Sequence, residues 1–436
     1  MPSAAPIATD TTRTGTASRR TPRVALQDWL WLLTAMLLSL ALRIPFFGIP
    51  MIPDEGGYAY ATQGWMDGTG KLYHDLWISR PQGIFLVYGA IMETLGDGTY
   101  AFRFAAWIAI ALTTIAVWLF ARMWINPTVA NVAAILFAVL SSSPNLEGFT
   151  ANAEIFMGLP AAFAAVWLLQ ISRKSWSPWQ LCGVGVLVGL ATILKPSGVV
   201  MLPVAWGFIL MIRQEQWRVH LKRCSAVFAG VMLVAIPTII NGITLGWHQF
   251  LYATVTYRLF QQSSASVGLS HNVTRLLSVS FQIWPMLALL LAVLAVAHRE
   301  TIRRWIGRAP ELVANGNRAM GWQMLRKIQS DVTIGLITPA PVRLTNLQRP
   351  TDDAGIILRL WVFGCLGGIA MGGDWWSHYL IQIAAPAAIW LGMISTRITI
   401  DLAMLRKRVA FVAMAVLLLG IPYRVLTDGS VTAMAE

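Results

Sequence analysis

Apolar runs of about twenty residues recur from one end of this chain to the other, and they constrain its fold more than any other feature. As a helix, such a run rises about 30 Å, the thickness of bilayer hydrocarbon. Apolar residues make up 56% of the 436 and charged residues only 12%. A soluble chain carries about twice that charge fraction. The expectation is an all-α polytopic membrane protein. The formal net charge of +13 does not point to nucleic acid, because Lys and Arg fall between the apolar runs and not in one patch. Cys182, Cys224 and Cys365 all lie in apolar runs and read as buried thiols without disulfide or metal spacing.

About eleven transmembrane helices are expected, over 27–49, 99–121, 128–144, 152–171, 178–195, 196–212, 225–243, 276–297, 356–372, 379–396 and 409–425. Residues 1–26, rich in Thr, Ser, Ala and Arg, read as a disordered cytoplasmic tail ahead of one membrane domain, 27–436. With that tail inside, "SRKSW", "RQEQWRVHLKR", the 298–354 loop and "RITIDLAMLRKR" are all basic and cytoplasmic. The segments 50–98, 144–151, 244–275, 373–378 and the C-terminus then lie outside. The run 81–96 is short for a span, and a crossing there would reverse every later basic loop. It is expected as a second helix at the outer surface, with Pro81 at its first turn. One experiment tests this orientation: in a background without native cysteines, Asn317→Cys is expected to resist an impermeant thiol reagent in intact cells, and labelling would reverse the orientation.

Within the outer segment, the stretch 52–83 carries four carboxylates close to the bilayer, Asp54, Glu55, Asp67 and Asp75. Pro53 should open a helix with Asp54 and Glu55 in its first turn, where the helix dipole favours negative charge. That helix should stop at "DGTG" and turn Tyr58, Ala61 and Trp65 toward the membrane interface. Either carboxylate reads as a helix-start residue or as a functional one. Being adjacent, they point in different directions, and only one can serve the cap.

Other polar residues fall at bilayer edges on the same side. Lys195, in "ATILKPSGVV", either snorkels or faces a partner inside a cavity. Glu154 opens a span as a dipole-favoured carboxylate or as a site residue. His378 and Tyr379, in "SHYL", are interface residues or catalysts. Together with Arg80, Arg258, His271 and Arg275 they are expected to ring one outer cavity. Carboxylates beside cations suit a reaction that removes a proton and stabilises an anionic leaving group.

The ordered set of Asp54-Glu55, "LYHDLWISRPQG", "FRFAAWIAIALTTIAVWLFAR", "ANAEIFM", "LKPSGVVMLP" and "SHYLIQIAAP" resembles bacterial membrane glycosyltransferases of the GT-C superfamily. The likeness is greatest to the branch holding protein O-mannosyltransferases and the lipid A aminoarabinose transferase, and it covers roughly 50–210 and, more thinly, 370–390. The resemblance implies a GT-C fold with juxtamembrane helices after the first span, in a bacterial plasma membrane. It implies a polyprenyl-phosphate-linked sugar as donor and a lipid, glycan or protein hydroxyl as acceptor, joined at the outer face. Asp54 matches the catalytic base; Glu55 accompanies it, and Glu154 matches the second acidic position. Lys195, His378 and Tyr379 match positions near the donor phosphate, where Arg80 and Arg258 are further candidates. Where many relatives carry Lys-Pro-Pro-Gly preceded by Asp or Asn, this chain reads Ser79-Arg80-Pro81-Gln82-Gly83. The carboxylate or amide that binds a metal in some relatives is absent at Ser79, and Asp75 is the candidate substitute; the sequence leaves a divalent metal open and requires none. The rival readings are a transporter or flippase of lipid-linked sugars, which would need an internal repeat, and a non-catalytic subunit of the same fold.

Overall fold

The computed structural model describes residues 25–172, 176–212, 216–262, 352–372 and 375–397, together with Thr274 and Leu277. Among these, eleven α-helices account for nearly all regular structure. They are α1 (Leu26–Arg43), α2 (Pro53–Met66), α3 (Gln82–Leu95), α4 (Thr99–Trp124), α5 (Pro127–Ser141), α6 (Ala153–Ser172), α7 (Pro178–Leu194), α8 (Met201–Ile212), α9 (Trp217–Leu251), α10 (Asp352–Met371) and α11 (Ala384–Arg397). Among the described residues, six helical stretches are long and apolar enough to cross a bilayer: Leu26–Phe46, Thr99–Trp124, Ala153–Ser172, Trp217–Tyr257, Asp353–Met371 and Ser377–Ile394. The spans expected at 128–144, 178–195 and 196–212 form helices too, but shorter ones. Those expected at 276–297 and 409–425, the tail 1–24 and the loop 298–351 lie outside the described residues.

Local sequence explains the helix starts. Asn126 caps α5 by accepting from Val129 N at 2.9 Å, with Pro127 in the first turn. Pro53 opens α2, which ends at Asp67 where "DGTG" begins. Pro81 stands just ahead of α3.

A central group of α4, α5, α6 and α7 packs with α1, α9 and α11 around it. Small residues set the closest approach. A Cβ on Gly185 of α7 would run into the Val227 carbonyl of α9, and one on Gly230 into the Cys182 carbonyl. Large apolar side chains stay exposed along the outer faces of α1 and α9, among them Trp29, Leu33, Leu37, Leu233 and Ile240. Lipid is the solvent that such a surface fits.

Polar clasps pin α1 at both ends. At its start, Asp28 meets Arg122 at 2.7 Å and Asn131 at 3.3 Å. At its end, buried Arg43 donates to Gly148 O (3.0 Å), Ser141 O (2.6 Å) and the Ser142 hydroxyl. Arg43 thus fixes the loop between α5 and α6.

Three expectations need correction. Tyr58 and Ala61 are 1% exposed and do not face the membrane interface. Tyr58 packs on Phe85 and Tyr88 of α3, because α2 and α3 bury their aromatic faces against each other. The outer segment expected from 244 onward is helical as far as Gln262, past a bend at Gly246 (φ 121°). Aromatic pairs Tyr73–Phe250 (5.3 Å) and Trp77–Tyr257 (4.8 Å) dock it on the segment between α2 and α3. Of the cysteines, Cys365 is buried, whereas Cys182 and Cys224 are only half-buried.

Candidate active site

Adjacent carboxylates at the start of α2 divide the work between them. Glu55 Oε2 accepts from Ile52 N at 3.2 Å, so Glu55 serves the helix start. Its side chain is 1% exposed and meets Arg103 of α4 at 2.8 and 3.2 Å. Its Oε1 also accepts from Ala151 N at 2.7 Å. Arg103 in turn donates to the carbonyls of Phe46, Ile49 (2.8 Å) and Pro50 (3.1 Å). Glu55 therefore ties together the end of α1, the start of α2 and the approach to α6.

Asp54 is left to the opposite side, where its carboxylate is 36% exposed. Its Oδ2 accepts from Arg80 Nη2 at 3.2 Å and from the Tyr58 hydroxyl at 3.3 Å. Burial pushes the Tyr58 phenol well above its ordinary value, so the hydroxyl stays a donor. Arg80 is 5% exposed. Burial works against its charge, but Tyr58, Asp54 and Tyr379 outweigh it and hold the pKa above the usual arginine value. Arg80 Nε is buried without a protein acceptor, which leaves one N–H of a buried cation available to an anion. The approach depends on Gly83, whose Cβ would sit 2.6 Å from the Ile193 carbonyl. Only glycine lets α3 begin this close to the end of α7, where Lys195 follows.

Lys195 is 2% exposed and does not snorkel. Its Nζ bonds Glu154 Oε1 at the start of α6 and lies 3.8 Å from the Tyr379 ring centroid. The second Glu154 oxygen and both polar atoms of the Gln382 side chain are buried without protein partners. They line a narrow, mostly apolar cavity walled by Phe137, Met157 and Trp361. Water suits such atoms.

His378 completes the cluster. Its Nε2 lies 3.6 Å from Glu154 Oε1 and 3.9 Å from Asp54 Oδ2. Nδ1 lies 3.1 Å from Glu147 Oε2, off the line of a straight hydrogen bond. Three carboxylates, Asp54, Glu147 and Glu154, thus gather with two basic side chains, Arg80 and Lys195, around one imidazole.

The residues expected from sequence separate cleanly. Asp54, Arg80, Glu154, Lys195, His378 and Tyr379 come together. Glu55 is next to Asp54 but faces Arg103. Asp75 is exposed on its own turn, bound by Lys71 N (2.9 Å) and His74 (2.7 Å). Those two partners hold its carboxyl below the usual range, the Lys71 amide first. The Arg258 side chain, His271 and Arg275 lie outside the described residues. Glu147 and Arg103 were not singled out from the sequence. An arginine four residues into an apolar run is itself a signal that Arg103 has a buried partner. Glu147 sits in a short loop and offers no such spacing.

Among the described residues no three His, Cys, Asp or Glu side chains form a metal-ligand group. Asp54 and Glu154 are each already matched to a cation, and Asp75 to its own turn.

Residues 79–242 match the model of the dolichyl-phosphate-mannose-protein mannosyltransferase family. A comparison with curated protein sequences gives no match. Among solved structures, the chain is similar to ArnT from Cupriavidus metallidurans bound to undecaprenyl phosphate, with a TM-score of 0.55 at 14% identity over 85% of this chain and 60% of that one. It is also similar to the archaeal oligosaccharyltransferase AglB from Archaeoglobus fulgidus in complex with an inhibitory peptide and a dolichol-phosphate, with a TM-score of 0.51 at 14% identity over 90% of this chain and 54% of that one. The chain therefore spans less than two thirds of the length of either. With its helical body, its two helices after the first span and these likenesses, the chain has the fold of the GT-C membrane glycosyltransferases.

Proposed function

We propose that the protein is a membrane glycosyltransferase, moving a sugar from a polyprenyl-phosphate donor to a hydroxyl acceptor at the end of the bundle that carries Asp54. The observation that carries this reading is one reachable carboxylate, Asp54, set beside two buried cations, Arg80 and Lys195. Displacement at an anomeric carbon leaves negative charge on the departing phosphate as positive charge spreads over the sugar. Buried cations stabilise that phosphate far better than cations in water. Arg80 has an N–H without a protein acceptor to offer it. Asp54, oriented by Tyr58 and Arg80, takes the proton of the acceptor hydroxyl. The Lys and Arg distribution supports the outer face of a bacterial plasma membrane as the place of reaction, with the N-terminus cytoplasmic and the C-terminus external.

The test is a donor panel. Purified protein is given undecaprenyl phosphate linked to radiolabelled mannose, glucose or aminoarabinose, with a membrane extract as the acceptor source. Release of undecaprenyl phosphate from one donor is expected. Release from none, by protein shown to be folded, defeats the reading.

Lys195 gives a second expectation. Lys195→Met removes the charge but keeps the length, and leaves Glu154 without its cation. Breaking a buried pair costs about 3–5 kcal/mol, so thermal stability in detergent should fall. Adding Glu154→Gln should recover most of that stability. Donor affinity should stay low in the double variant, because the cation is still missing. Donor affinity equal to wild type in the double variant would reduce Lys195 to a structural residue.

A further inference from the structure

Glu147 is the carboxylate of the cluster whose matched partner is His378. Its backbone is left-handed (φ 51°), a region that non-glycine residues seldom enter. The turn is fixed by Glu147 N donating to Pro144 O at 2.9 Å and by Thr150 N donating to Glu147 O at 3.1 Å. Arg43 holds the next carbonyl, that of Gly148. The side chain is fixed as well: Asn152 Nδ2 reaches Oε2 at 3.4 Å, and the Ser377 hydroxyl reaches Oε1 at 3.5 Å. A strained loop therefore delivers one carboxylate to Nδ1 of one imidazole. Trp376 stacks on that ring, with centroids 6.3 Å apart, and Tyr379 packs edge-on at 4.8 Å. The other ring nitrogen, Nε2, is thereby aimed between Asp54 and Glu154, beside Arg80 and Lys195.

We propose that His378, oriented by Glu147, carries the proton taken by Asp54 onward to the leaving phosphate. The inference rests on the glycosyltransferase reading above. In the transfer, the acceptor oxygen bonds the anomeric carbon and its proton passes to Asp54. The bond from the anomeric carbon to the phosphate oxygen breaks, and that oxygen keeps the electron pair. Asp54 gives its proton to Nε2, while Glu147 faces the Nδ1–H of the resulting imidazolium. Nε2 then gives the proton to the phosphate, and both side chains return to their starting state. The acceptor's hydrogen ends on the polyprenyl phosphate, and no further reactant is needed. The route matters because a donor and an acceptor bound at Asp54 would cover its exposed part. Glu147 is a positioning residue here, acting only through the ring.

The test uses the full-length protein in nanodiscs, undecaprenyl phosphate as the binding probe and the donor identified by the panel above. His378→Gly is expected to lower turnover about 10²–10⁴-fold, the usual size of an acid–base contribution, with undecaprenyl phosphate affinity within about threefold of wild type. Free imidazole in the buffer should restore part of the turnover, as replacement of a lost proton carrier does. Glu147→Gln keeps the shape of the side chain and should lower kcat about tenfold or more at unchanged donor KM. Three results would overturn the proposal: turnover of His378→Gly within tenfold of wild type, no rescue by imidazole, or a Glu147→Gln effect confined to KM. A wild type that fails to bind undecaprenyl phosphate at all would instead defeat the functional reading on which the proposal stands.

Discussion

Asp54→Asn is expected to abolish transfer, by about 10²–10⁴-fold, while the protein inserts and folds as before. The two halves of this expectation come from different observations. Folding survives because Glu55, not Asp54, caps α2 and anchors it to Arg103. Transfer fails because an amide cannot take the acceptor's proton, and Asp54 is the cluster carboxylate with the greatest exposure, 36% against 25% for Glu147 and 0% for Glu154. Asparagine keeps an oxygen for Tyr58 and Arg80, so the geometry around it is preserved. Donor affinity should change little. Transfer by Asp54→Asn within about tenfold of wild type would remove Asp54 from the role of base.

Arg103→Met should have the largest effect on stability. Arg103 and Glu55 are both fully buried, 48 residues apart in sequence. Removing the arginine strands the Glu55 carboxylate and leaves the carbonyls of Phe46, Ile49 and Pro50 without a donor. Breaking a buried pair alone costs about 3–5 kcal/mol, a large part of a typical folding free energy. Unfolding in detergent should shift to clearly lower temperature, with loss of activity following from the displaced start of α2. Glu55→Gln combined with Arg103→Met should be less damaging than Arg103→Met alone, since no buried charge then remains. Equal damage from the single and double variants would show that the carbonyl contacts, not the ion pair, matter. Wild-type stability in Arg103→Met would contradict the clasp altogether.

How much of this could be read from the chain depends on how local the cause is. Pro53 as a helix opener and "DGTG" as a stop are local signals, and α2 runs between them. The same holds for α3 behind Pro81. Which of Asp54 and Glu55 caps the helix is also nearly local, but the deciding partners are Ile52 N nearby and Arg103 far along the chain. By sequence both are catalytic candidates, and the geometry favours Asp54. Lys195 was legible as a charge needing a reason, because lysine in an apolar hairpin is costly. Its reason, Glu154, is visible only once α6 and α7 pack. Tyr58 was placed on the wrong surface because helical periodicity identifies an apolar face without saying whether lipid or protein covers it. Glu147 was missed because its importance comes from a loop conformation and a residue more than two hundred positions away.

The central claim is that the Asp54 cluster transfers sugar from a lipid phosphate. It is tested most directly by measuring undecaprenyl phosphate released from labelled donor, by purified wild type and by Asp54→Asn at equal donor occupancy. The account predicts release by wild type that depends on acceptor, and release by Asp54→Asn lower by about 10² or more. Equal release by both proteins, or none by a wild type that binds the carrier, would contradict it.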